Sequence, residues 1–150
     1  MTYTQSLHIN LYKSLNKYKV KYLIIGGISA ILHGVPRATL DIDIVIEPTE
    51  NNAKNLLTAL LDAGLYTASL TSVNGILDNE ISIFKDRIRL DVQTKTPGID
   101  FKKAWKRKTV FKISGINVYS LSIDDLICSK KASGRKEDKE DIKYLKLIKK

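Results

Sequence analysis

Three aspartates and a pair of glycines are the residues of this chain whose types and spacing could do chemistry. Asp41 and Asp43 stand one residue apart in "LDIDIVIE", and a third acid, Asp91, stands in "RLDVQT". In a strand, residues two apart project to one face, so the two acids share a side while Ile42, Ile44 and Ile46 share the other. By the same alternation Leu90 and Val92 face a core, and Arg89, Asp91 and Gln93 lie opposite. Carboxylates meeting from two strands are hard oxygen ligands for a divalent cation. Mg2+ suits them best, because it is held by few carboxylates and completes its shell with water and substrate phosphates. This is the arrangement with which metal ions clamp an in-line phosphoryl displacement.

Gly26-Gly27 closes the apolar run "VKYLIIGG", thirteen residues ahead of Asp41. A strand that runs into two glycines and then a helix exposes backbone N–H groups without an obstructing Cβ, and the positive end of the helix favours an anion. Ser29 adds a hydroxyl in the first turn. Either half alone is equally a polar strand face or a tight turn. Both at this spacing, with a third acid on a later strand, describe a site for a metal and a phosphate chain.

The surrounding pattern supplies elements to hold these residues. Thr2 and Gln5 form a capping box before Leu7, Leu11 and Leu15, which predicts a helix over residues 3–17. A buried strand precedes the glycines, and "ISAILH" is a short helix stopped by Gly34 and Pro36. Thr49 caps a helix to about Ala63. "LYTASL" is expected as a short strand, Asn74-Gly75 as a loop, and "EISIFKDRIRLDVQT" as a hairpin turning at Lys85-Asp86. Residues 99–107 are expected as a helix, and "TVFKISGINVYSL" as two strands around Ser114-Gly115. Ser122 and Asp125 open a helix from Ile123 to about Ser133 with a second capping box, and a last helix starts near Lys136. This order predicts an α+β fold, a small mixed sheet flanked by helices, in one domain spanning 1–150 with a helical C-terminal part from about 121.

Composition narrows the class. With 150 residues, 43% of them hydrophobic, one core is expected. No stretch is long and apolar enough to span a membrane and the start lacks a signal-peptide pattern, so a cytoplasmic protein is expected. The net charge of +9 is concentrated: residues 102–112 carry six basic and no acidic side chains, and residues 130–150 carry nine basic and four acidic ones. Such tracts suit a polyanion such as nucleic acid, or a solvated lysine-rich face. Cys128, the single cysteine, is expected as a small buried hydrophobe.

The pattern "IGG", thirteen residues, "DIDI", then "RLDV" resembles the nucleotidyltransferase fold shared with polymerase beta. The longer string "GGISAILHGVPRATLDIDI" is similar to the AbiEii group of bacterial nucleotidyltransferases, many of them toxins of toxin–antitoxin pairs. "DLICSKKASGRKEDKEDIKYL" resembles that group's closing Lys, Arg-x-x-Asp and Asp-x-x-x-Leu pattern. The resemblance implies a magnesium-dependent enzyme moving a nucleoside monophosphate from a nucleoside triphosphate to a hydroxyl, with RNA, the 3′ end of transfer RNA, as acceptor and a cognate antitoxin as partner. It implies that Asp41, Asp43 and Asp91 are catalytic and bind the metal, Asp91 also helping to deprotonate the attacking hydroxyl. It places Gly26, Gly27 and Ser29 at the triphosphate, with Arg37 and Thr39 bracing the loop or touching phosphate; Lys130 and Arg135 either contact phosphate or metal or belong to a structural pairing with inward aspartates. Gly27 departs from the pattern, since many members carry Ser there.

The last two helices carry a separate signal. On a wheel of about 100° per residue, Lys130 falls among Ile123, Leu126 and Ile127, and Asp138 and Asp141 fall on the side of Ile142, Leu145 and Ile148. Inward lysine and aspartates either pair with one another or serve a ligand. Lys136, Lys139, Lys143, Lys146 and Lys150 form an outer stripe, either solvent face or acceptor surface. His33 is expected to hydrogen-bond the following loop rather than act as a base. Trp105 either stacks on a base or anchors its helix. Two other functions share the motif: an antibiotic-modifying nucleotidyltransferase, whose cationic substrates favour acidic clefts, and a nucleotide-binding module without catalysis, which a missing metal acid would mark. None of the three acids is missing.

Overall fold

The computed structural model describes residues 2–150. Helix α1 (Tyr3–Lys17) leads to strand β1 (Tyr22–Ile25), α2 (Gly26–Leu32), β2 (Ile42–Ile46) and α3 (Glu50–Asp62). Then come α4 (Val73–Leu77), the hairpin β3 (Ile81–Lys85) and β4 (Arg89–Gln93), α5 (Phe101–Lys106), the hairpin β5 (Thr109–Ile113) and β6 (Ile116–Ser120), and the helices α6 (Ile123–Ser133) and α7 (Lys136–Lys149). The strands form one mixed sheet in the order β3-β4-β2-β1-β6-β5. No helix among the described residues is long and apolar enough to cross a membrane.

The alternation in "DIDIVI" divides the sheet into two faces. Ile42, Ile44 and Ile46 pack with Tyr22, Ile24, Leu90 and Val92 against Leu11 and Leu15 of α1 and Leu56 and Leu60 of α3, a core from which water is excluded. On the opposite face Leu23, Ile25 and Val45 pack against Ala104 of α5, Leu126 and Ile127 of α6, and Leu145 of α7. That second core stops at Val45. Beyond it, on β4 and β3, the same face carries Arg89, Asp91, Gln93, Ile81 and Ile83, and Ile81 and Ile83 remain exposed.

Several expectations change with packing. Tyr66–Leu70 is a 3₁₀ helix rather than a strand. The buried Leu65, which caps it, and Ala68 within it are three apart, and the Thr67 N–H and hydroxyl donate to the Asp86 carboxylate. The Asn74-Gly75 stretch lies inside α4, because the Ser72 hydroxyl caps it by accepting from the Gly75 N–H at 3.1 Å and Ile76 is fully buried. The β3–β4 turn falls at residues 86–88, one step later than expected, with Lys85 still paired to Arg89. The first capping box is complete, whereas the second is half made. Ser122 accepts from the Asp125 N–H, but the Asp125 carboxylate turns to Arg107, at 2.9 and 3.1 Å. Cys128 is exposed, its thiol turned toward the Gly98 carbonyl and away from the apolar stripe of α6.

The β1–β2 pair on which the site is built is pinned at its far end by Asn52. Its side chain accepts from the Lys21 N–H at 2.8 Å and donates to the Lys21 and Glu47 carbonyls at 3.0 and 2.9 Å, while being only 4% exposed. Asn52→Ala strands these backbone groups away from water and is expected to cost about 2–3 kcal/mol. The measurement is a lowered urea midpoint with an unchanged slope.

Candidate active site

Asp43 and Asp91 are brought together by strand register. β2 and β4 are parallel neighbours with Asp43 opposite Asp91, so the carboxylates leave one face of strands about 4.8 Å apart. Asp43 accepts no hydrogen bond among the described residues, and its carboxyl is pushed up to about 6, first by burial and then by the charge of Asp91, with Arg135 opposing. Both oxygens of Asp91 are held by Arg89, at 2.9 and 3.2 Å. Asp41 is exposed and lies just ahead of β2.

The expected trio is therefore a pair with a marginal third member. Among the described residues, no three acidic, imidazole or thiol groups stand together as a ready metal cluster, because Arg89 takes Asp91 and Asp41 lies outside the strand. The donor set still fits Mg2+, which needs one or two carboxylates and takes the rest of its shell from water and phosphate.

The glycines are explained by this pair. Gly26 has φ +64°, and a Cβ there would lie 2.7 Å from Asp43 Oδ2, so a side chain would be strained and would displace the carboxylate. At Gly27 a Cβ would meet Thr39 Cγ2 at 3.0 Å and the Arg37 guanidinium at 3.5 Å, so the serine that the resemblance leads one to expect would crowd the loop here. Ser29 does not reach the cleft. It is fully buried, its hydroxyl 2.7 Å from that of Ser120, and it ties α2 to β6 instead of meeting a phosphate.

Two lobes flank the carboxylates. One, of about 240 Å3, is lined by Gly27, Arg37, Thr39, Asp41 and Arg89. The other, of about 360 Å3, is lined by Gly26, Ile81, Gln93, Lys95 and Thr96 among others. Asp43, Asp91, Lys130 and Arg135 border both. A larger cavity, of about 630 Å3, lies between α6 and α7 beside Cys128, Lys131 and Lys146, and its one acid, Asp124, is paired with Lys149. Its lining has no pair of carboxylates, so the chemistry belongs to the two smaller lobes.

The inward polar residues of the last two helices meet in a buried ion network. Lys130, 4% exposed, donates to Asp138 at 3.2 Å and to Asp141 at 2.8 Å. Asp141 also accepts from Arg37 at 2.6 Å, and Asp138 from Arg135 at 3.0 Å. Burial works against the Asp138 carboxylate, but hydrogen bonds from Arg135, Ser133 and Lys130 outweigh it and hold its pKa low. The network locks α6 and α7 to the loop after α2 and leaves three cations at the cleft. His33 makes a structural hydrogen bond, to the Leu121 carbonyl at 2.8 Å rather than to the following loop, because α2 packs beside the end of β6. Trp105 stacks on Phe101 and meets Tyr119 edge-on, which anchors α5 to the second core. Arg89, Gln93 and Ile81 were not among the expected site residues, although the two-residue spacing around Asp91 already put Arg89 and Gln93 on its face.

The family described as nucleotidyltransferase of unknown function (DUF6036) matches residues 7–150. The fold is similar to that of a candidate nucleotidyltransferase from Thermotoga maritima, with a TM-score of 0.61 and 20% identity over 100% of this chain and 97% of that one. It is also similar to an antigenic nucleotidyltransferase-like protein from Paracoccidioides brasiliensis, with a TM-score of 0.56 and 19% identity over 97% of this chain and 74% of that one. No curated protein matches the sequence. The nucleotidyltransferase fold is common to these findings; the narrower likeness to the AbiEii group is not among them.

A carboxyl raised from 3.8 to about 6 binds its proton more tightly in the folded than in the unfolded chain, so stability falls as pH rises between those values and stays reduced above them. Asp43→Asn removes that penalty. Its thermal midpoint at pH 7.5 is expected to lie a few degrees above wild type, with the difference closing as the pH is taken down to about 4. Thermal unfolding of both proteins across this range checks it.

Proposed function

The chain belongs to this family of nucleotidyltransferases, and we propose that it moves a nucleoside monophosphate from a nucleoside triphosphate to a hydroxyl group of RNA, releasing pyrophosphate. The observation that carries the proposal is the in-register pair Asp43 and Asp91, with Gly26 against one acid and Arg37, Arg89, Lys130 and Arg135 around both. Two acids that repel each other, ringed by cations and bare backbone, suit a metal-bound phosphate chain better than they suit either charge alone.

In this reading the triphosphate lies in the lobe of Gly27, Arg37 and Thr39, where guanidinium groups offer planar donors to phosphate oxygens. Magnesium, when bound, neutralises charge on the acids and on the phosphates, and Asp43 and Asp91 would hold it with Asp41 at their margin. The hydroxyl oxygen of the acceptor bonds to the α-phosphorus as the bond from that phosphorus to the oxygen bridging toward the β-phosphate breaks. The hydroxyl proton passes to Asp91, and the departing pyrophosphate carries the negative charge toward Arg37. Arg89 must yield its grip on Asp91 for this to happen, and a phosphate oxygen offers it an alternative partner. The basic tracts support RNA as the acceptor. A toxin that blocks the 3′ end of transfer RNA and is restrained by an antitoxin is the narrower form of the proposal.

Incubation of the protein with each labelled nucleoside triphosphate, Mg2+ and total RNA is expected to label RNA. Asp43→Ala should lower labelling by at least about a hundredfold, since even partners of metal ligands cost ten- to a hundredfold. RNA left unlabelled by wild type, or labelled equally by Asp43→Ala, overturns the RNA-transferase proposal. Growth arrest on expression that vanishes with Asp43→Ala supports the toxin form, and arrest that persists removes it.

A further inference from the structure

The uncovered part of the sheet face carries an apolar shelf beside the acids. Ile83 stands opposite Asp91 and Ile81 opposite Gln93, and these isoleucines are 55% and 51% exposed. No helix among the described residues seals them, although the same face is sealed by α5, α6 and α7 over β1 and β2. On the other side of the acids, along the strands, stand Arg89 and Asp41. The two lobes therefore lie on opposite sides of the Asp43–Asp91 pair along the strand direction, one lined by Gly27, Arg37 and Arg89 with Asp41 and Glu137, the other by Ile81, Gln93 and Thr96 with Glu80 and Lys95.

In-line displacement fixes which substrate enters from which side. The attacking oxygen and the departing pyrophosphate lie roughly in line through the α-phosphorus. With pyrophosphate in the Gly27–Arg37 lobe, the hydroxyl must approach from the lobe of Ile81 and Gln93. We infer that this second lobe receives the terminal base of a nucleic-acid acceptor, which lies on Ile81 and reaches toward the exposed Ile83 just outside the lobe, while its sugar hydroxyl is presented above Asp91. The Thr96 hydroxyl donates to Gln93 Oε1 at 2.6 Å, which fixes the amide and leaves its NH2 to donate to the edge of that base. An apolar floor with one fixed amide fits a planar heterocycle. The inference rests on the transferase proposal, and it adds a terminal base, not just a phosphate backbone, as what the acceptor must present.

The test uses the full chain and two single-stranded RNA oligonucleotides, alike except that one ends in an abasic sugar. Fluorescence anisotropy measures their binding, calorimetry measures a non-hydrolysable nucleoside triphosphate analogue with Mg2+, and labelling of both oligonucleotides is followed in parallel. Wild type is expected to bind the oligonucleotide with the terminal base about tenfold more tightly than the abasic one. Ile81→Ser combined with Ile83→Ser, two surface changes, should erase that preference and leave analogue binding within about twofold. A wild type that labels RNA but treats the two ends alike overturns the shelf and leaves the transferase proposal standing. A variant that keeps the preference does the same. Loss of analogue binding in the variant also overturns it, because the shelf would then hold the donor base. A dimer in sedimentation that the variant abolishes overturns it as well, because a second copy would then cover the shelf. If wild type labels neither oligonucleotide nor any RNA, both proposals fall together.

Discussion

Two like charges held side by side are the constraint around which this protein is arranged. Strand register sets Asp43 opposite Asp91, and neither strand can slip by a residue without exchanging core aliphatic side chains for polar ones, so repulsion cannot be relieved by moving the backbone. The relief comes from side chains instead. Arg89 closes on Asp91, Arg135 acts on Asp43 from a distance, and Asp43 itself retains its proton to a higher pH than an ordinary carboxyl.

A cleft built this way needs its cations kept in place, and the buried ion network does that. Lys130 cannot be buried alone, and Asp138 and Asp141 cannot either. Joined through Arg37 and Arg135, the five groups satisfy one another and tie the last two helices to the loop that follows the glycines. Breaking such a network from one side leaves a buried charge uncompensated, so its members hold position strongly even where the net stabilisation is small. The dry core on the other face of the sheet supplies the stiffness against which these charges are held.

Coverage of the sheet is the second organising fact. Helices α5, α6 and α7 seal the catalytic face over β1 and β2 and end where the acids begin, leaving β4 and the edge strand β3 open. Isoleucines are ordinary residues for a half-buried strand, so in the sequence Ile81 and Ile83 look like core. Their exposure arises because no helix among the described residues covers that face of the edge strand.

Much of this was legible from local pattern. The alternation around Asp43 and Asp91, the Gly-Gly before a short helix, the caps at Thr2 and Thr49, and the inward Lys130, Asp138 and Asp141 follow from periods of two and 3.6 residues, which depend on the backbone alone. Local pattern also misled, at Tyr66–Leu70 and α4, where segments of five residues are too short for a period to declare itself. Ser29 shows the limit at the site: its position in the helix follows from the sequence, but the hydroxyl of Ser120, 91 residues away, takes it out of the cleft. Sequence by itself determined which residues share a face, because side-chain direction is a property of the strand or helix that carries them. Only the tertiary structure decided which faces meet, which acid Arg89 holds, why Gly26 admits no side chain and which part of the sheet stays open, because these depend on contacts between segments far apart in the chain.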